Sequence, residues 1–198
     1  IIHKSRKNLE EIVKHYQLKN IHEIWPNFKV YVHGGVYMDP FVERLKKVCA
    51  EPVILLDTYL ASEGYFGYQI SPKKRGMKLL LNNSIFFEFI PFNADYFTES
   101  GELKNKHLAY TISEVQPNVD YALVISTNAG LWRYMLGDLV RFVDTTTQEI
   151  IISGRIKQYL SICGEHLTLD NINQAMVQVS SAHGLSFSEY TIYADESS

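Results

Sequence analysis

A mixed α/β chain is predicted, and three observations predict it. An early strand, helix and strand follow one another closely, a middle stretch alternates between apolar runs and turn residues, and strand and helix return near the end. The expected architecture is α/β with an α+β mix. It comprises a βαβ unit with a mixed sheet, then an antiparallel curved sheet or barrel, then the start of a small α+β C-terminal domain. Residues 1–153 would be part of the large domain and 154–198 the hinge with a truncated start of the second.

Leu9, Ile12, Val13 and Tyr16 fall at helical spacing among lysines, which predicts an amphipathic first helix. FKVYVH (28–33) alternates as a strand does and runs into Gly34 and Gly35. Asp39 before Pro40 marks a helix start, with Asp as cap, and Phe41, Leu45 and Val48 share one face of that helix. VILLD (53–57) is a short continuous apolar run, the pattern of a strand buried on both faces and paired in parallel with the first.

From about Gly67, SIFFEFIP, TISEV, DYALVIST, LVRFVD and EIIIS read as strands. Turn residues separate them, including Pro117-Asn118 and Asn128-Ala129-Gly130, so neighbours should be antiparallel. Past Gly154, IKQYLSI reads as a strand, and Asp170 is placed to cap a helix bearing Ile172, Ala175, Met176 and Val179. EYTIYA (189–194) reads as a last strand.

The chain has 198 residues with 46% hydrophobic and 21% charged, the balance of an ordinary globular protein. A net charge of -3 gives no reason to expect nucleic acid or an acidic membrane as partner. No apolar run is long enough to span a bilayer. Cys49 and Cys163 form no redox or metal spacing, which fits a reducing compartment, the cytoplasm by default. The chain lacks an initiator Met, opens inside a helix and stops after a strand, so a piece of a longer protein is expected.

Candidate chemistry gathers at three places. Thr58-Tyr59-Leu60-Ala61-Ser62-Glu63-Gly64 follows the VILLD strand, where ligand sites of open α/β sheets collect. A Tyr there offers a flat face to a base, Ser a hydroxyl, and Glu a hard oxygen for Mg²⁺. A polar turn is the plainer alternative. LWRYMLGD (131–138) reads as a strand that breaks at Gly137, leaving Asp138 as an acceptor for ribose hydroxyls or as part of a surface hairpin. Ser153-Gly154-Arg155-Ile156-Lys157 lies at the expected boundary, with Arg155 a fork for phosphate or ribose and Lys157 where a hinge would turn. An exposed basic linker is the bland reading. Gly34 and Gly35 would let backbone approach a flat base, or simply turn.

The seven histidines show no metal-binding spacing, and a lone His such as His33 or His166 is more often structural. Of Phe86, Phe87, Phe89 and Phe92, strand alternation puts Phe87 and Phe89 on one face, as core residues.

Together, IWPNFKVYVHGG, DTYLASEGYFGY, SIFFEFIPF, NAGLWRYMLGDLVRF and SGRIKQYLSICGEHL resemble the auxin-responsive acyl-acid amido synthetases and their bacterial relatives, in order and spacing. That family lies within the wider adenylate-forming superfamily. The resemblance implies roles position by position. Tyr59 would flank adenine, Ser62 would lie in the nucleotide loop, and Glu63 would hold Mg²⁺ near the phosphates. Gly34 and Gly35 would border the adenine, and Asp138 would grip the ribose hydroxyls. Arg155 would contact ribose or phosphate, and Lys157 would be the pivot of a rotating C-terminal domain. ATP and Mg²⁺ are the implied cofactors; a small carboxylic acid and an amino acid are the implied partners.

Two departures matter. Met135 stands where many members carry a second Arg, although Arg133 remains. The phosphate loop expected upstream and the lysine expected downstream are missing, so this stretch alone should be inactive. The implied reaction has two steps. The acid attacks the α-phosphate of ATP, giving an acyl-adenylate and pyrophosphate, and an amine then displaces AMP to form an amide. Coenzyme A as acceptor, or a module that kept the fold without activity, are the competing readings.

Overall fold

The computed structural model describes residues 2–35, 38–104, 108–157, 160–162, 165–167, 169–185 and 191–192. The amphipathic start forms α1 (Ile2–Tyr16), whose apolar stripe Leu9, Ile12, Val13 and Tyr16 is exposed. Downstream, His22 is buried and pins two segments. Its Nδ1 accepts from the Ala50 amide at 3.1 Å, so its Nε2 carries the proton that reaches the Phe28 carbonyl at 2.9 Å.

The expected βαβ unit is present. β1 (Val30–Gly34) leads through a 3-10 turn (Asp39–Phe41) and α2 (Val42–Val48) to β2 (Ile54–Ala61), and the two strands pair in parallel. Three details differ from the sequence reading. The cap position is Met38, and Asp39 and Pro40 fill the first turn behind it, because Pro suits that turn better than its flank. β2 is not buried on both faces: Ile54 is exposed and Leu55 to Thr58 only partly covered. The segment expected as a loop after VILLD is strand as far as Ala61. Tyr59 and Leu60 pair with β3 (Gly64–Gln69), leaving Ser62 and Glu63 as a two-residue hairpin turn.

β4 (Met77–Leu79), β5 (Ile85–Pro91), β6 (Asp120–Thr127), β7 (Tyr134–Asp144) and β8 (Glu149–Arg155) complete one mixed sheet. Its order is β1-β2-β3-β4-β8-β7-β6-β5, antiparallel except at β1–β2, so the βαβ unit and the antiparallel half share a single sheet. The sheet is curved but not a closed barrel, with β1 and β5 as its two edges. Curvature is nonetheless strong. Phe66 of β3 and Phe87 of β5 lie five positions apart in the sheet, roughly 24 Å if it were flat, yet their rings are 6.1 Å apart.

Two further strand expectations fail locally. TISEV is a turn, with Glu114 accepting from the Thr111 amide and hydroxyl. β7 does not break at Gly137 but bulges: Ala122 pairs with Leu139 and Val124 with Met135, so Leu123 faces three residues. Gly137 takes φ 90° there, a conformation that favours glycine.

One core cluster fills the concave side, and a smaller one with Ile90, Ala122, Val124 and Leu139 covers the opposite face. Phe66, Phe89, Tyr121, Leu123, Ile125 and Phe142 are fully buried, and Phe87 joins them on the face predicted for it, while Phe86 is exposed. Phe89 and Phe142 meet edge-on at 5.1 Å, a favoured aromatic geometry. After the sheet, IKQYLSI is not one strand. β8 ends at Arg155, a turn follows, and β9 (Leu160–Ile162) pairs with β10 (Glu165–Leu167) as a separate two-stranded sheet. α3 (Leu169–His183) follows and packs on β8. Asp170 lies in its first turn rather than capping it. Cys163 and most of the EYTIYA segment lie outside the described residues, as do the side chains of Lys157's neighbour Gln158 and of His166. No described helix is long and apolar enough to cross a membrane.

Candidate functional site

Alternation along β2 turns Leu55, Asp57, Tyr59 and Ala61 to one side. They form one wall of a cleft of about 1110 Å³. The opposite wall comes from β7 and β8, with Leu136, Asp138 and residues 151–155, and part of the rim comes from α3. Of the eight candidates, Gly35, Tyr59, Ser62, Glu63, Asp138 and Arg155 line this cleft; Gly34 and Lys157 do not.

Asp138 is the centre of the arrangement. The bulge in β7 and a register shift in β8 bring Asp138 opposite Arg155, whose Nε donates to Oδ1 at 2.9 Å. Tyr59 donates its hydroxyl to Oδ2 at 2.8 Å from across the curved sheet. The carboxylate is 8% exposed and the Arg155 side chain 62%, so a buried anion is balanced by a cation that reaches water. Each carboxylate oxygen retains capacity to accept one more donor.

Tyr59 sits differently from its expected display of a flat face. Its ring is buried edge-on against Phe66 at 4.9 Å, and its hydroxyl is its polar contribution to the cleft. Burial, reinforced by the Asp138 carboxylate, pushes the phenol well above its ordinary pKa and keeps it a donor.

Gly34 has a packing reason to be glycine. A Cβ there would lie 2.6 Å from the Thr58 carbonyl oxygen, on the strand it pairs with. Gly35 faces open space at φ 73°. Lys157 is exposed in the turn after β8. Arg133 pairs with Glu88 at 3.0 Å and stays out of the cleft.

Several cleft residues escaped the sequence reading. His33 and Asp57 face each other at 3.5 Å, and among the described residues the His33 Nδ1 has no hydrogen-bond partner. Burial raises the Asp57 pKa, against a smaller opposing pull from His33. The β3–β4 connection supplies Lys73, Lys74 and Arg75; Lys74 pairs with Glu149 at 2.8 Å and Arg75 with Asp170. Three consecutive basic residues between two strands were the available signal.

Among the described residues no three His, Cys, Asp or Glu side chains could hold an ion by themselves. Mg²⁺ keeps several waters and commonly binds through one or two carboxylates plus substrate phosphates. Glu63, on the cleft rim, therefore fits an ion that arrives with phosphates and not a resident one.

Comparison with known proteins agrees with the order of the motifs. Residues 3–54 match the GH3 family N-terminal domain, and residues 78–152 match the GH3 family central domain. An indole-3-acetic acid-amido synthetase of Arabidopsis thaliana is 30% identical over 96% of this chain and 32% of its own length. A jasmonoyl-L-amino acid synthetase of Oryza sativa subsp. japonica is 28% identical over 88% of this chain and 32% of its own. The chain thus spans about a third of the length of the curated relatives it matches. Among solved structures, an acyl acid amido synthetase superposes with a TM-score of 0.64 at 20% identity, over 94% of this chain and 34% of that one. Two domain models of one family, in their natural order, cover most of the sheet and what precedes it, and the chain belongs to the GH3 family.

Proposed function

We propose that this chain carries the nucleotide-binding sheet of an ATP-dependent acid–amino-acid ligase. One observation carries the reading: Asp138, held by Tyr59 and Arg155, lies in a cleft large enough for a nucleotide. A buried carboxylate with spare acceptor capacity beside an exposed guanidinium suits a ribose diol next to a phosphate. Relatives named as amido synthetases, acting on indole-3-acetic acid or forming jasmonoyl-amino acids, support the class. A solved relative in complex with 2,4-DB supports a small acid as substrate.

Each residue has a role in this reading. Asp138 accepts from the ribose hydroxyls, while Arg155 neutralises phosphate charge and Tyr59 fixes the carboxylate. Gly34 and Gly35 border the base, and Ser62 donates near the phosphates. Glu63 would hold a magnesium ion, which supplies charge neutralisation at the phosphates when bound. Positioning and charge neutralisation are what such a site contributes to transfer at phosphorus. The second step joins an amine to the activated acyl group, with AMP leaving. Residues from 154 onward form the hinge and first part of a second domain, pivoting at Lys157. The separate β9–β10 sheet supports that boundary. A cysteine pair without redox spacing supports the cytoplasm.

Pyrophosphate release is the test. The full-length protein is given Mg-ATP and a panel of carboxylic acids, with amino acids or coenzyme A as acceptors. Acid-dependent release with an amide product is expected, and is lost in Asp138→Ala. A thioester product would move the assignment to an acyl-CoA ligase. Absence of release with every acid would overturn the catalytic reading.

A further inference from the structure

Helix α3 is attached to the sheet in an unusual way. Its buried residues, among those described, are Asp170 and Asn173, whereas Ile172, Met176 and Val177 are partly covered and Val179 is exposed. Among the described side chains, the most deeply covered contacts of this helix are thus polar. The Asp170 side chain is 2% exposed and sits between Arg75 of the β3–β4 connection and Arg141 of β7, with Gln174 donating from the next turn at 2.8 Å. Arg141 donates from both Nε and Nη2 to Asp120 at 2.8 Å. The result is an alternating series, Arg75–Asp170–Arg141–Asp120, that runs from the cleft across β7 to β6. Arg75, Asp170 and Asn173 all line the cleft.

We propose that Asp170 is a charge latch: its pairing with Arg75 and Arg141 holds α3 against the cleft and so governs access to it. The physical basis is the difference between two kinds of buried contact. An ion pair taken out of water costs desolvation that its attraction only partly repays, so exchange back to water is easy. An apolar seam would oppose separation with every square ångström. The remaining partners can tolerate release. Arg141 keeps both bonds to Asp120, and the Arg75 side chain is 43% exposed and readily solvated. Opening thus strands no buried charge in the sheet. Asp170 is in this sense a positioning residue: it acts on the cleft by placing α3 and reacts with nothing.

The inference rests on the nucleotide reading only for the ligand whose entry is measured. Hydrogen exchange of the full-length protein is compared for wild type, Asp170→Asn and Arg75→Gln, with AMP association followed by stopped flow. Both variants are expected to exchange at least about tenfold faster across 169–183, as lost partners of a buried pair make opening easier. Exchange in β6 and β7 should be unchanged. The double variant should add little to Asp170→Asn, which already removes the Arg75 pairing, and should exceed Arg75→Gln, which leaves Arg141 in place. AMP should associate faster with both variants, an effect that general destabilisation would not produce. Unchanged exchange across 169–183 in both variants overturns the latch. Faster exchange with unchanged AMP association overturns its control of entry. If AMP binds none of the proteins, the nucleotide reading is what fails, and exchange alone decides the latch.

Discussion

The concave core and the cleft bury side chains of different character. Inside the curve, Phe66, Phe89, Tyr121, Leu123, Ile125 and Phe142 are wholly enclosed and meet other apolar groups. At the cleft, buried Met77 and Ile151 are joined by enclosed polar groups: Asp138, Ser153, Asp170, Asn173 and the Tyr59 hydroxyl. The first region gains from every contact it excludes from solvent. In the second, Asp138 and Asp170 recover what desolvation cost through specific partners, while among the described residues the Ser153 hydroxyl has none. Stability should therefore reside in the first region and recognition in the second. Tyr59 belongs to both, with its ring in one and its oxygen in the other.

The contrast can be broken by substitution. Phe89→Ala should have the largest effect, lowering stability by about 3–5 kcal/mol in denaturant titration and abolishing ligand binding only through unfolding. Asp138→Ala should cost on the order of 1–3 kcal/mol by leaving the Tyr59 hydroxyl unpaired, yet weaken AMP roughly 10²-fold by removing two charge-assisted bonds, as calorimetry would show. A loss of stability larger than that of Phe89→Ala would erase the distinction. Tyr59→Phe sharpens it: about 1 kcal/mol of stability should go, with a smaller loss of AMP affinity, since Arg155 still holds the carboxylate.

The smallest effect concerns Asp57. Because burial raises its pKa in the folded state, the stability this group contributes is fully present below its unfolded pKa and is lost as pH rises through the folded value. At neutral pH the ionised carboxylate therefore opposes folding. Asp57→Asn should stabilise the protein by on the order of 0.5 kcal/mol at pH 7, with the gain shrinking toward pH 3. Its Oδ1 can still accept from the Thr58 amide. Thermal melts at several pH values decide; destabilisation at pH 7 would show that its pairing with His33 outweighs its burial.

The same two regions differ in how far they could be read from sequence. The strands of the core half announce themselves by alternation and turn residues, so SIFFEFIP, DYALVIST and EIIIS are found close to where they were expected. What failed there depended on partners: TISEV has strand-like residues, but Thr111 and Glu114 close a turn instead. Cleft residues were marked as candidates by their position and given roles by resemblance, and their geometry was not legible. That Asp138 meets Arg155 depends on a bulge and a register shift, and neither leaves a periodic trace. Tyr59 reaches Asp138 only because the sheet curls, a property of the whole assembly. Gly34 was read as a neighbour of the base, but its contact with Thr58 becomes visible only once β1 and β2 are paired.

The join between β4 and β8 has a consequence for the order of assembly. β2–β3–β4 and β6–β7–β8 are each linked by short turns and can form locally, whereas Met77 must find Ile150 across the intervening chain. Such distant pairing pays its loop-closure entropy before it is rewarded, and is slow. Tyr59 comes from the first set of strands and Asp138 and Arg155 from the second, so the cleft does not exist until that join is made. Recovery of nucleotide binding during refolding should consequently lag the appearance of strand structure, marking the last step and not the first.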